Sequence, residues 1–271
     1  MTTSTVEAVL ERETVRPARP APRRIPLSRI VSVEMRKSFD TRSGFWLLAS
    51  IGILAVLATG ATILFAPDDA LDYGNFAAAI GFPMAVILPM VAILSVTSEW
   101  SQRTGLTSFT LVPHRGRIIA GKALVAAIVG VVSMLLAGAI GAIGNVLGTT
   151  INGVDTTWDV SVLEFGYIIL ANLLGMAVGF MLGVLIRNSP GAIVAYFVYS
   201  LLLPTITSVL AQTQSWFADK QPWVDFNFAQ GALFEGDMGG EQWAQLGLTG
   251  LFWLVIPLTI GVWSVLRSEV K

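Results

Sequence analysis

Residues 98–122 read SEWSQRTGLTSFTLVPHRGRIIAGK, and what flanks them decides the fold. Before them runs ILPMVAILSVT (residues 87–97), and after them ALVAAIVGVVSMLLAGAI (residues 123–140). A very apolar chain is interrupted here by one acid, Glu99, by the bases Arg103, Arg115, Arg117 and Lys122, and by its single histidine, His114. A bilayer-spanning helix needs about 20 mostly apolar residues, so the pattern is two membrane helices joined by a basic loop.

The same test applied outward finds six apolar windows, at about 44–66, 77–97, 119–148, 163–186, 191–211 and 245–266. Hydrophobic residues make up 54% of the 271 and charged residues 13%, against about 25% charged in a soluble domain. The expected fold is therefore an all-α integral membrane protein with six transmembrane helices. Sixteen of the 17 Lys and Arg residues lie in the two tails or in the second and fourth connections, and only Lys220 lies elsewhere. The positive-inside rule then places both termini and the 98–118 loop in the cytoplasm. The outer connections carry acids instead, among them Asp68, Asp69, Asp72, Asp155, Asp159, Asp219, Asp225 and Asp237.

Residues 1–26 are polar and rich in Pro and Arg, which reads as a disordered cytoplasmic tail rather than a cleavable secretory signal. Its bases serve as a topology signal or rest on anionic lipid. From Leu27 the pattern LSRIVSVEMRKSFD sets Leu27, Val31, Met35 and Phe39 four apart, with Ile30 beside them. An amphipathic helix over 27–43 is expected to lie in the membrane surface and to turn into the first span at Ser43-Gly44. A helix packed on a protein partner shows the same periodicity, but direct continuity with a span favours the interfacial reading.

Pro83, Pro89 and Pro204 fall inside spans and are expected to kink them. In the fourth window Ala171, Gly175, Gly179 and Gly183 recur every four residues. That stripe of small residues lets another helix approach closely, from within the chain or from a second subunit. The last outer connection, about 212–243, holds Trp216, Phe217, Trp223, Phe226, Phe228, Phe234 and Trp243. It is expected to form short interfacial helices.

Several chemistries are excluded. Gly116-Arg-Ile-Ile-Ala-Gly121-Lys122-Ala123 matches a phosphate loop except at its last position, where Ala123 lacks the hydroxyl that holds magnesium. It also follows a Pro-containing loop rather than a strand, so nucleotide binding is not expected. There is no cysteine for a disulfide or a thiolate metal site. With one histidine, in a loop, no Ser–His pair can sit in the bilayer. No HExxH motif or carboxylate pair occurs within a span. A proton-coupled carrier should hold ionisable groups near the midplane, yet Lys122 and Glu164 stand only at span edges. Asn145 and Asn172 are the most polar interior side chains, each accounted for by a helix–helix hydrogen bond. If the protein moves a solute, its energy comes from elsewhere.

Within the basic loop, Trp100, Leu106, Phe109 and Leu111 alternate with Arg103, Thr104, Thr107 and Arg115, and Pro113 ends the segment. Such a segment can form a short helix with an apolar face for a partner groove; it also reads as a plain loop carrying positive-inside charge. The sequence VEMRKSFDTRSGFWLL, then Glu99-Trp100, Arg103-Thr104, Thr107, Pro113, Arg115, Arg117 and Lys122 after the second span, resembles the ABC-2 type permeases of ATP-binding-cassette exporters, above all actinobacterial ones. The turn LIRNSPGAI and the six spans also fit, so the resemblance covers about 27–271. The resemblance implies a coupling helix at Glu99, Trp100, Arg103, Thr104, Thr107, Phe109, Pro113 and Arg115 that docks on a separate ATPase subunit. It also implies that the first amphipathic helix, here with Glu34, Arg36, Lys37 and Arg42, helps hold that ATPase. A second permease copy, identical or different, pairs with the first around a central path in a bacterial plasma membrane. ATP and magnesium then belong to the partner, this chain is not an enzyme, and neither a metal nor a nucleic acid is expected on it. The reading is an efflux permease for an apolar or amphipathic substrate; the alternative is a membrane scaffold or sensor subunit that transports nothing.

The predicted orientation can be checked in a chain without cysteine. Single cysteines at Thr157 and Gln221 should react with an impermeant thiol reagent on intact cells, and one at Ser108 should not. Labelling at Ser108 overturns the orientation.

Overall fold

The computed structural model describes residues 26–101 and 115–267, and the side chains of Ser43, Glu99, Ser101 and Arg115 lie outside the description. Ten longer or α-helical elements follow in order among the described residues, with a short 3-10 turn at Asp68–Ala70 between the second and third: α1 (Leu27–Asp40), α2 (Arg42–Phe65), α3 (Tyr73–Ser101), α4 (Arg115–Asn152), α5 (Val162–Ile186), α6 (Ser189–Thr213), α7 (Ser215–Ala218), α8 (Gln221–Val224), α9 (Phe226–Glu235) and α10 (Gly240–Arg267). Six of them, α2, α3, α4, α5, α6 and α10, are long and apolar enough to cross a membrane. Their outer faces agree. Phe82 is 75% exposed and Phe65 83% exposed, a surface suited to hydrocarbon and not to water.

Each long helix begins before its apolar window, because a helix starts where its backbone finds a cap. α3 starts at Tyr73, where the Asp72 carboxylate accepts from the Asn75 amide at 2.7 Å. The Gly74 amide donates to Asp159 at 2.8 Å, so the α4–α5 connection caps α3 from across the bundle. The same connection lies along the start of α3 through a bridge between Asp72 and Thr157 and a Tyr73–Trp158 ring contact. Ser161 and Glu164 form a capping box on α5. Arg187 ends α5 in the left-handed region at φ 54°, and its guanidinium donates to the Ser264 hydroxyl of α10.

The prolines are absorbed differently. α3 runs on through Pro83 and Pro89. In α6 the stretch Val198–Leu202, just before Pro204, is a π-helix, and the Leu203 amide donates to the Val198 carbonyl. In α10 the stretch Leu251–Val255 does the same before Pro257. A proline ring clashes with the carbonyl four residues back, and one wider turn makes room for it.

α5 is the centre of the bundle, with half of its apolar window buried against 6% for α6. The stripe explains why. A Cβ at Gly179 would lie 2.8 Å from the Pro89 carbonyl oxygen, and one at Gly183 3.4 Å from Ile93 Cα. α3 and α5 therefore meet backbone to backbone. Ala171 and Gly175 turn to other neighbours: Gln230 of α9 donates to the Ala171 carbonyl at 2.7 Å, and the Tyr196 hydroxyl of α6 lies near Gly175. All four small residues thus pack within the chain. The two buried asparagines differ from the sequence expectation of interhelical bonds. Asn145 donates to the Thr157 carbonyl in the α4–α5 connection, and Asn172 to Ile168 of its own helix. Asn145 reaches that connection because it stands two turns from the end of α4, where Thr157 folds back over it.

At Gly179 the intruding atoms are the Pro89 backbone and its ring Cβ, which cannot rotate away. Gly179→Ala should lower the melting temperature in detergent, by an overpacking cost of about 1–3 kcal/mol. Gly231→Ala, where a Cβ meets nothing within 4 Å, should not.

Candidate functional site

α1 is a separate helix held at a corner. Pro26 opens it, its carbonyl accepting from the Arg29 and Ile30 amides, and proline suits a position whose own N–H would be unused. Thr41 alone, extended at φ -86° and ψ 137°, separates α1 from α2. Its hydroxyl accepts from the Gly44 amide and caps α2. Any Cβ at Gly44 would strike the Ser38 carbonyl and the Thr41 hydroxyl, so the corner needs glycine. The sequence expectation carried α1 to residue 43; the turn falls two residues earlier, and Arg42 is the first residue of α2. Thr41 ends α1 there because its hydroxyl is needed as the cap of the next helix.

Ile30 and Glu34, one turn apart, face the bundle at 7% and 8% exposure. Ile30 lies over Gly121 of α4, where a Cβ would fall 2.7 Å from Ile30 Cγ2. Beside it Lys122, 6% exposed, donates to Glu34 Oε2 at 2.8 Å and to the Ser95 carbonyl of α3 at 2.9 Å. Lys37 donates to the other carboxylate oxygen, Oε1, at 2.9 Å. One buried ammonium thus ties α1, α3 and α4 together. Burial pushes the Glu34 carboxyl up, but Lys122 and Lys37 outweigh it and hold the group below its ordinary value of 4.5. The pair therefore contributes its full stability above 4.5 and loses it as pH falls through the lower folded value.

This joint explains the near-match to a phosphate loop. Residues 115–122 form the opening turns of α4; Gly121 makes room for Ile30, and the Lys122 amine already has two acceptors. Sequence reasoning missed the joint, although a signal was present. Glu34 is the one acid among Ile30, Val31 and Met35 on the apolar side of α1, and an acid placed there needs a cation opposite it.

The other expected site residues are placed as follows. Trp100, in the last turn of α3, is half-buried and packs on the main core beside Val96. Arg103, Thr104, Thr107, Phe109 and Pro113 lie outside the described residues, as do the side chains of Glu99 and Arg115. Arg36 and Arg42 are exposed. α3 and α4 each extend into the expected 98–118 loop, so residues 102–114 link two helix ends next to the joint. Among the described residues no group of His, Asp or Glu side chains could hold a metal ion. No protein-family model matches the chain, and no curated protein matches it either.

Breaking a buried ion pair from one side leaves a bare charge and costs about 3–5 kcal/mol, whereas replacing both partners by apolar residues is close to neutral. Glu34→Leu should destabilise the detergent-solubilised protein markedly, and Glu34→Leu with Lys122→Met should recover most of the loss. Additive losses in this double-mutant cycle would mean that the two side chains are not coupled.

Proposed function

We propose that this chain is the membrane permease subunit of an ATP-driven exporter of the ABC-2 type that its sequence resembles, with ATP hydrolysis on a separate ATPase. The observation that supports the reading is the Glu34–Lys122–Ser95 joint. Residues 102–114 connect the end of α3 that bears Ser95 to the start of α4 that bears Lys122. A partner that grips this segment acts at once on α1, α3 and α4, which is the mechanical requirement for passing a nucleotide-driven closure into membrane helices.

In this reading both chain ends and the 102–114 segment face the cytoplasm, and α1 lies in the membrane surface. The exposure of Phe39, Phe45 and Trp46 beside Arg36 and Arg42 fits that layer, where aromatic and basic side chains favour the headgroups. Phe109 and its neighbours meet the ATPase. The substrate path runs between this chain and a second permease copy, through apolar surface suited to an apolar or amphipathic solute. The purified chain alone binds no nucleotide.

The test is purification of the tagged full-length protein from its native membrane. An ATPase chain with phosphate-loop motifs should accompany it in fixed ratio. Phe109→Ala should weaken that association by about 2 kcal/mol, roughly thirtyfold, without affecting membrane insertion. ATP binding by the purified chain alone overturns the proposal, and an intact protein with no ATPase partner points instead to the non-transporting scaffold.

A further inference from the structure

Arg187 is a cation that the chain positions without neutralising. It ends α5 in the left-handed region at φ 54°, the one positive φ outside glycine among the described residues. Glycine usually closes a helix in this way, because a side chain in that region costs conformational energy. An arginine there is explained by what its side chain does. The guanidinium donates to the Ser264 hydroxyl of α10, and its buried Nε has no acceptor. A hydroxyl carries no charge, and among the described residues Arg187 makes no ion pair. A half-buried cation is thus fixed in place with its charge unmet.

Arg267 adds a second cation. It stands three residues beyond Ser264, on the same face of α10, and its guanidinium lies 4.2 Å over the Trp263 ring. The neighbouring surface is apolar, with Ile186, Trp263 and Leu266 exposed. Two guanidinium groups suit a phosphate, whose oxygens match the planar fork. A soluble phosphate gains nothing from the apolar flank, whereas a lipid can lay its acyl chains along it. We infer that Arg187, Ser264 and Arg267 form a site for the phosphate of an anionic phospholipid, with its acyl chains on the apolar surface of α5 and α10. Basic sites between membrane helices take such headgroups. The headgroup supplies the counter-charge and ties the α5–α6 turn to the last turns of α10, where Gly261 already lies against Val184 and Leu185.

The experiment uses the full-length protein, stripped of lipid in a neutral detergent and titrated with phosphatidylglycerol or with zwitterionic phosphatidylcholine. Native mass spectrometry counts bound lipid, and the melting temperature reads its effect. The parent should retain phosphatidylglycerol in preference to phosphatidylcholine and melt higher with it. Arg187→Gln should weaken that binding by about tenfold or more. Lys220→Gln, which removes an exposed charge elsewhere, should not. Because Arg187→Gln also removes the bond to Ser264, Ser264→Asp separates the two roles. Its carboxylate meets the guanidinium from within, so the lipid-free protein should melt higher and gain little more from phosphatidylglycerol. Equal binding of the two lipids, or equal binding by the parent and both variants at the site, overturns the inference. So does an equal gain from excess inorganic phosphate, which would assign the site to a soluble ion. A parent that retains no phosphatidylglycerol also overturns it; the charge is then met within the chain, where Glu269 is the acid that follows Arg267.

Discussion

A lysine ammonium buried at one end of an apolar bundle must be paid for, and the position of α1 follows from how it is. Lys122 has 6% of its surface exposed, and only a carboxylate together with a carbonyl can replace the water it has lost. Glu34 supplies the first from α1 and Ser95 the second from α3. The corner at Thr41 and Gly44 and the missing side chain at Gly121 serve the same end. They let α1 come close enough to deliver one charge.

The rest of the bundle is built on a different principle. Lipid tails are as apolar as leucine, so helices in a membrane gain little from burial as such and gain from close packing instead. Gly179 and Gly183 let α5 touch the backbone of α3, and α5 becomes the helix on which the others are arranged. The polar groups that remain are used at the ends. Asp72 and Asp159 cap α3, Ser161 and Glu164 cap α5, and Arg187 holds the end of α5 to α10. The end of the bundle with the α4–α5 connection is thus closed by caps, and the end with α1 is closed by an ion pair.

α6 has the least buried apolar window of the six, and α10 meets α5 where Gly261 lies against Val184 and Leu185. Each widens into a π-turn just before a proline, and each exposes a broad apolar face. The aromatic helices between them are tied down by polar bonds. Asp225 caps α9 and accepts from Thr207 of α6 at 2.6 Å, and the Trp253 indole of α10 donates to the Val224 carbonyl. Polar contacts of this kind fix the outer segment against the spans where apolar packing alone would not select one arrangement.

The sequence by itself determined that the chain has six membrane-length helices, where each lies to within a few residues, and that a helix precedes them. Run length and charge are local properties, and a bilayer reads them locally. It also marked Ala171, Gly175, Gly179 and Gly183 as a close-contact stripe, because their spacing is a property of one helix. What it left open was which neighbour each would meet, since that depends on how α3, α6 and α9 are arranged around α5. Asn145 and Asn172 carried no sign that their bonds would go to a connecting loop and to their own helix. The joint lay furthest from view. Glu34 and Lys122 are 88 positions apart, and each alone reads as an ordinary charge at a membrane boundary. Only the folded chain brings them together, because the pairing of distant charges is decided by the geometry of the corner at Thr41 and by the space that Gly121 leaves open.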